Sequence, residues 1–160
     1  MDLDDCNLLE TDKAYMAAIL DGEGYITIHA RKVKYGKSCQ PKFMVASTSI
    51  SWLKELRDKW GGVGSFFVSD ERKFEEWKPF AQWCVVGKAA QQILSTVYPY
   101  LQIKKDQACA VINFKMVGQG KRRTKEELDA QVEQYNHVRK LNQRGTKEYI
   151  PEDSAEFVIH

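Results

Sequence analysis

Two acids, Asp21 and Glu23, are separated by Gly22 and followed by Gly24. They close an apolar run, Tyr15-Met16-Ala17-Ala18-Ile19-Leu20, that predicts a short helix. Tyr25-Ile26-Thr27-Ile28-His29 follows at once as a strand. Thr11 is placed to cap the helix start, with Asp12 in the first turn, where the helix dipole favours an anion. The other end breaks that rule, because carboxylates there face partial negative charge. A divalent cation would offset the repulsion, and hard ions take carboxylate oxygens. Taken alone, one glutamate at a helix end is more often a solvated surface acid. A helix apolar on every side must also be buried on every side. In a chain of 160 residues this predicts a helix held between two protein units. Ala18 and Gly22 lie four apart and lack bulk, which suits close backbone approach of two helices. A monomer core would accept the same small residues.

A second group is basic. In Tyr98-Pro99-Tyr100-Leu101-Gln102-Ile103-Lys104-Lys105-Asp106-Gln107, two lysines open a predicted helix and oppose its dipole. An anion such as phosphate would relieve them; a plain surface pair is the alternative. Lys121-Arg122-Arg123 follows Gly118 and Gly120 in a predicted loop, suited to backbone phosphate or to a solvated helix start. Arg139, Lys140, Arg144 and Lys147 form another such group.

These residues need elements to position them. Alternation puts Ile26, Ile28 and Ala30 on one strand face and Thr27, His29 and Arg31 on the other. Tyr35-Gly36-Lys37-Ser38 reads as a turn. From Gln40 to Ala46, Phe43 and Val45 face one way and Gln40, Lys42 and Met44 the other. Ser47-Thr48-Ser49 then caps a helix through Trp52, Leu53 and Leu56 that stops at Gly61-Gly62. Gly64 to Val68 and Gln82 to Val86 form a second strand pair around a charged loop, Asp70 to Pro79. Helices are predicted over Lys88 to Val97, Lys104 to Val117 and Lys125 to Asn142, with Pro99 breaking the first from the second. The order gives an α+β domain with an antiparallel sheet covered by helices on one face.

The uncovered face would carry Thr27, His29, Arg31, Gln40, Lys42, Ser65, Phe67, Ser69, Gln82 and Cys84. Hydroxyl, amide, imidazole and guanidinium groups can read base edges, and a β-ribbon fits a major groove. A solvated sheet face has the same look. Phe67 fits a polar reading surface poorly: it would touch a thymine methyl, or the register is off by one.

Composition narrows the classes. The length suits one domain with a real core, 1–160, with its core over about 11–145 and a peripheral tail over 146–160. Hydrophobic residues make up 43%, with no run of membrane length, which predicts a globular protein off the membrane. A net charge of +2 does not announce nucleic acid; the clustering of bases matters more. Four cysteines without CxxC spacing, and three histidines, argue against a zinc site or disulfide scaffold and for a reducing intracellular setting. The acidic start does not resemble a targeting peptide.

Met16 to Gly24 resembles the nonapeptide signature of the LAGLIDADG homing endonucleases, and the likeness extends more weakly to about Gly145. One copy implies a homodimer, with Ala18, Asp21 and Gly22 at the helix seam and Asp21 in a structural, capping role. The resemblance implies a saddle-shaped antiparallel sheet that binds DNA, which favours the base-reading face over the solvated one. It places Glu23 on the metal-binding acid, Gly22 as a carbonyl ligand, and Lys104 on the active-site lysine. The implied cofactor is Mg²⁺ or another divalent cation such as Mn²⁺. The implied activity is metal-dependent hydrolysis of both strands of a long, near-palindromic DNA site, cut across the minor groove to leave short 3′ overhangs. Such enzymes are encoded by introns and other mobile elements, so the implied address is a prokaryotic cytoplasm, a chloroplast or a mitochondrion. Many members carry aspartate where this chain has Glu23. Some carry a water-ordering glutamine near Ser47-Thr48-Ser49, and an arginine after it for which Lys54 and Arg57 are the nearest bases. Both roles stay unassigned. The rivals are an RNA maturase of the same fold and a non-cleaving DNA-binding protein; flanking splicing residues that an intein would need are absent.

Overall fold

The computed structural model describes residues 3–33, 36–69, 77–116 and 123–143. Helix α1 (Glu10–Gly22) leads into strands β1 (Gly24–Val33) and β2 (Gly36–Ser47), then α2 (Ile50–Lys59). Strands β3 (Ser65–Ser69) and β4 (Phe80–Val86) follow, then α3 (Gly87–Val97), α4 (Lys105–Ile112) and α5 (Lys125–Leu141). The four strands form one antiparallel sheet in the order β1-β2-β4-β3.

The register sorts side chains by face. Ile26 lies opposite Phe43, and Phe43 opposite Val85. Val45 lies opposite Trp83, and Trp83 opposite Phe66. Ile26, Phe43, Val45, Trp83 and Val85 are fully buried, with Met16 and Leu20 of α1, Ile93 and Leu94 of α3 and Val111 of α4 in the same core. Removing these side chains from water drives the helices onto one face only, at ~25 cal/mol per Å² of apolar area. Phe43 and Trp83 meet edge to face, their ring centres 5.5 Å apart. The Trp83 indole N–H donates to the Val63 carbonyl at 2.7 Å, so its burial leaves no orphan donor. Pro41 is tolerated inside β2 because β4 ends opposite Lys42, so a missing N–H breaks no ladder on that side.

The α+β class, the element order and the open sheet face agree with the sequence expectations. Three details differ. Helix α1 starts one residue before Thr11, and Asp12 makes the cap by accepting the Leu9 N–H at 2.9 Å. Gly36, Lys37 and Ser38 extend β2 instead of forming a turn, with Gly36 opposite Val33. Helix α4 spans Lys105–Ile112 and stops well before Val117, because Gln91 of α3 donates to the carbonyls of Val111, Ile112 and Phe114. Within the single chain helix α1 is covered on one side: Met16, Ala17 and Leu20 are buried, while Tyr15, Ala18 and Gly22 are exposed. The Asp70 to Glu76 part of the expected charged loop and the C-terminal tail lie outside the described residues.

Candidate functional site

The two acids at the end of α1 have different surroundings. Both Asp21 oxygens accept backbone N–H groups from the stretch that leads into α4: Gln102 at 2.8 Å, Ile103 at 3.1 Å and Lys104 at 2.9 Å. Asp21 therefore caps the entry to α4 within its own chain, and those three donors relieve the charge repulsion at the helix end. Glu23 is exposed. It borders an open cleft of about 590 Å³ lined also by Ala46, Ser47, Thr48, Ser49, Trp52 and Phe80.

Lys104 reaches back over the same corner. Its ammonium donates to the Leu20 carbonyl at 2.9 Å and to the Gly24 carbonyl. A cation thus sits on carbonyls at the end of α1, where the dipole favours it. Burial pushes the Lys104 pKa down, opposed by the nearby charges of Asp21 and Glu23. Lys105 lies over the Tyr98 ring, 5.7 Å from its centre. Both lysines expected to need an external anion thus have partners inside the chain, and Asp21 supplies the anion at the start of α4.

The two glycines of the motif also differ. A Cβ on Gly24 would come within 2.7 Å of the Leu20 Cα, so the tight α1–β1 corner demands glycine. A Cβ on Gly22 would meet nothing within 4 Å. Among the described residues nothing requires Gly22, or the exposed Ala18 four residues earlier, to be small.

The register brings every expected reading residue of the described strands to the helix-free face. Thr27 lies opposite Lys42 and His29 opposite Gln40; Arg31 lies opposite Ser38. Ser65 lies opposite Cys84, Phe67 opposite Gln82 and Ser69 opposite Phe80. Thr27 alone among them is buried, at 6% exposure. Arg123 is half-buried and donates to the Ser38 hydroxyl at 3.3 Å, so it reaches the rim of this face. Lys121 and Arg122, with Arg144 and Lys147, lie outside the described residues. Arg139 lies over the Tyr135 ring. Met44 lies there beside Gln40 and Lys42, as expected, while Tyr25, Ala46, Phe80 and Val86 share the face and were not expected on it. Carrying the alternation one step further at the strand ends would have found Tyr25 and Phe80.

Near the cleft, Ser47 accepts the Ser49 N–H at 3.0 Å and shapes the entry to α2. Arg57 donates to the Gly64 carbonyl and Lys54 pairs with Asp58. Among the described residues no group of three or more His, Cys, Asp or Glu side chains could hold a metal, and none of the four cysteines forms a disulfide. No described helix is long and apolar enough to cross a membrane.

No known family profile matches the sequence, and no curated protein does. Solved structures do match. The homing endonuclease I-CvuI, in complex with DNA, is 23% identical, with a TM-score of 0.64 over 88% of this chain and 87% of its own. The archaeal intron-encoded homing endonuclease I-Vdi141I, complexed with DNA, is 14% identical, with a TM-score of 0.63 over 88% of this chain and 90% of its own. The meganuclease I-SmaMI, bound to DNA, is 18% identical with a TM-score of 0.62, and this chain covers 46% of it.

The fold is that of the LAGLIDADG homing endonucleases. In this LAGLIDADG fold the signature segment Met16 to Gly24 forms the second half of α1 and the corner into β1. It carries the exposed small residues and the exposed acid and leads directly into the first strand of the open face.

Proposed function

We propose that this chain is a homodimeric, metal-dependent homing endonuclease that hydrolyses both strands of a near-palindromic DNA site, with the whole chain as one domain of each subunit. The observation that carries it is the position of Glu23. It is exposed at the corner where the small-residue face of α1 meets the helix-free face of the sheet, in a cleft it shares with Ala46 and Phe80 of that face.

The donor set fits a divalent ion of the magnesium type, which takes one or two carboxylates and completes its shell with water and substrate phosphate oxygens. Glu23 and the Gly22 carbonyl would hold it. When bound, the ion supplies charge neutralisation at a phosphate and lowers the pKa of water. The remaining work belongs to the chain. Asp21 and Lys104 fasten the α4 entry to the two sides of the Glu23 corner, which fixes the backbone from which that carboxylate projects. Two donors of the Lys104 ammonium engage carbonyls, and the third is available to a phosphate oxygen. His29, Arg31, Gln40, Lys42 and Gln82 present donors and acceptors to base edges, while Arg123 suits backbone phosphate.

The unexplained smallness of Gly22 and Ala18 supports a second copy of α1 against the first. A two-fold pair would set one Glu23 and one Lys104 for each DNA strand. Incubation with Mg²⁺ and a randomised duplex library should yield breaks in both strands, related by the two-fold axis of the site. Specific binding to an intron RNA, with no duplex cut anywhere in the library, would overturn this function in favour of a maturase.

A further inference from the structure

The helix-free sheet face has two zones of different chemistry. Along the outer part of the β1–β2 hairpin it is polar and basic, with His29 beside Gln40 and Arg31 beside Ser38. Toward β4 and β3 large apolar side chains join the polar ones. One row across the strands runs Tyr25, Met44, Cys84, Ser65, and the next runs Ala46, Gln82, Phe67. Phe67 leaves 58% of its surface exposed and Tyr25 47%. Core packing does not explain them, because the same strands turn Ile26, Phe66 and Trp83 to the opposite, helix-covered face. Large apolar groups gathered on an otherwise polar face mark a contact surface.

The chemistry of a major groove limits what such a surface can meet. Of the four bases only thymine presents a methyl group there, at C5, where cytosine has a bare C–H; the oxygens and nitrogens of the base edges are donors or acceptors. We infer that Phe67 and the apolar zone beside it read thymine methyl groups, so that this chain selects its DNA by hydrophobic contact as well as by hydrogen bonds, an inference that rests on the DNA-binding role proposed for the sheet. The zoning divides the labour. Arg31 and Lys42 lie on the polar side and supply charge, while Phe67 on the edge strand β3 can press on a methyl without burying any unpaired polar group of its own.

Deoxyuridine removes only that methyl. Duplexes selected from a random pool by the full chain are resynthesised with each thymine in turn replaced by deoxyuridine, and their affinities are compared. At one or more thymines the native chain should lose about fourfold, the worth of one buried methyl group. Phe67→Ser should bind the two forms alike at those positions, and Phe67→Leu should keep part of the difference. Both substitutions replace an exposed side chain, so both should fold. His29→Ala, on the polar side, should leave the difference intact. Equal binding of both forms at every thymine, or a difference that survives in Phe67→Ser, overturns thymine reading while the DNA-binding role stands. Failure to select any duplex overturns both.

Discussion

Glu23 and Lys104 share one corner of the molecule and should respond differently to substitution. Glu23→Gln keeps the shape of the side chain and removes its charge. Duplex binding should persist while cleavage in Mg²⁺ falls by at least about 10²-fold, the scale of losing one electrostatic contact to a reacting centre. A gel assay that finds near-native cutting would move the metal ligand elsewhere. Lys104 has a pKa below its usual 10.5 because burial penalises the ammonium. Between the folded value and 10.5 the unfolded chain holds more protons, so stability should rise with pH through that window. The cost of keeping the charge is full below the folded value and gone above the unfolded one. Urea melts of the native chain and Lys104→Met, from neutral pH upward, should show this rise in the native chain only. The variant should also slow cutting more than binding, since its lost ammonium faces the Glu23 corner.

At the scale of elements, α1 is a helix with two faces of different dependence. Met16, Ala17 and Leu20 bind it to its own chain, and the Tyr15 hydroxyl accepts the Trp52 indole N–H at 3.0 Å, while Ala18 and Gly22 remain outside. Gly24→Ala should destabilise the fold, because its Cβ overlaps the Leu20 backbone. Overpacking of this kind costs ~1–3 kcal/mol. Gly22→Ala should leave the monomer's stability nearly unchanged, which thermal melts at low protein concentration would check. Ala18→Leu adds bulk to an exposed position, so it should spare the monomer fold and weaken self-association by ~1–3 kcal/mol. An unaltered dimer in sedimentation equilibrium would remove Ala18 from the seam.

For the whole molecule, the open face should carry both affinity and selectivity. Phosphate contacts release counterions, so duplex affinity should fall steeply and linearly in log–log form as salt is added. His29→Ala, Arg31→Ala and Gln82→Ala should each relax preference at particular base pairs, at about 1–3 kcal/mol for a good bidentate contact. Arg123→Ala should weaken all sequences alike. A uniform loss across all four in a binding selection would mean that the face holds backbone without reading bases.

Much of this architecture is legible in the order of residues. Period-two alternation put Thr27, His29, Arg31, Gln40 and Lys42 on one face because a strand's side chains must alternate, and the register agrees at each of them. The apolar run ahead of Asp21-Gly22-Glu23-Gly24 marked a helix, a corner and a strand, since glycine and acid at that point permit little else. The sequence could not say what satisfies the acids. Asp21 bonds backbone about eighty residues further on, and Lys104 returns the contact to Leu20 and Gly24. Such pairings depend on how α4 docks beside α1, which no local pattern encodes. Nor could periodicity show that α1 is covered on one side only. Burial is settled by the packing of distant elements, and it separates Gly24, which its own chain requires, from Gly22, which it does not.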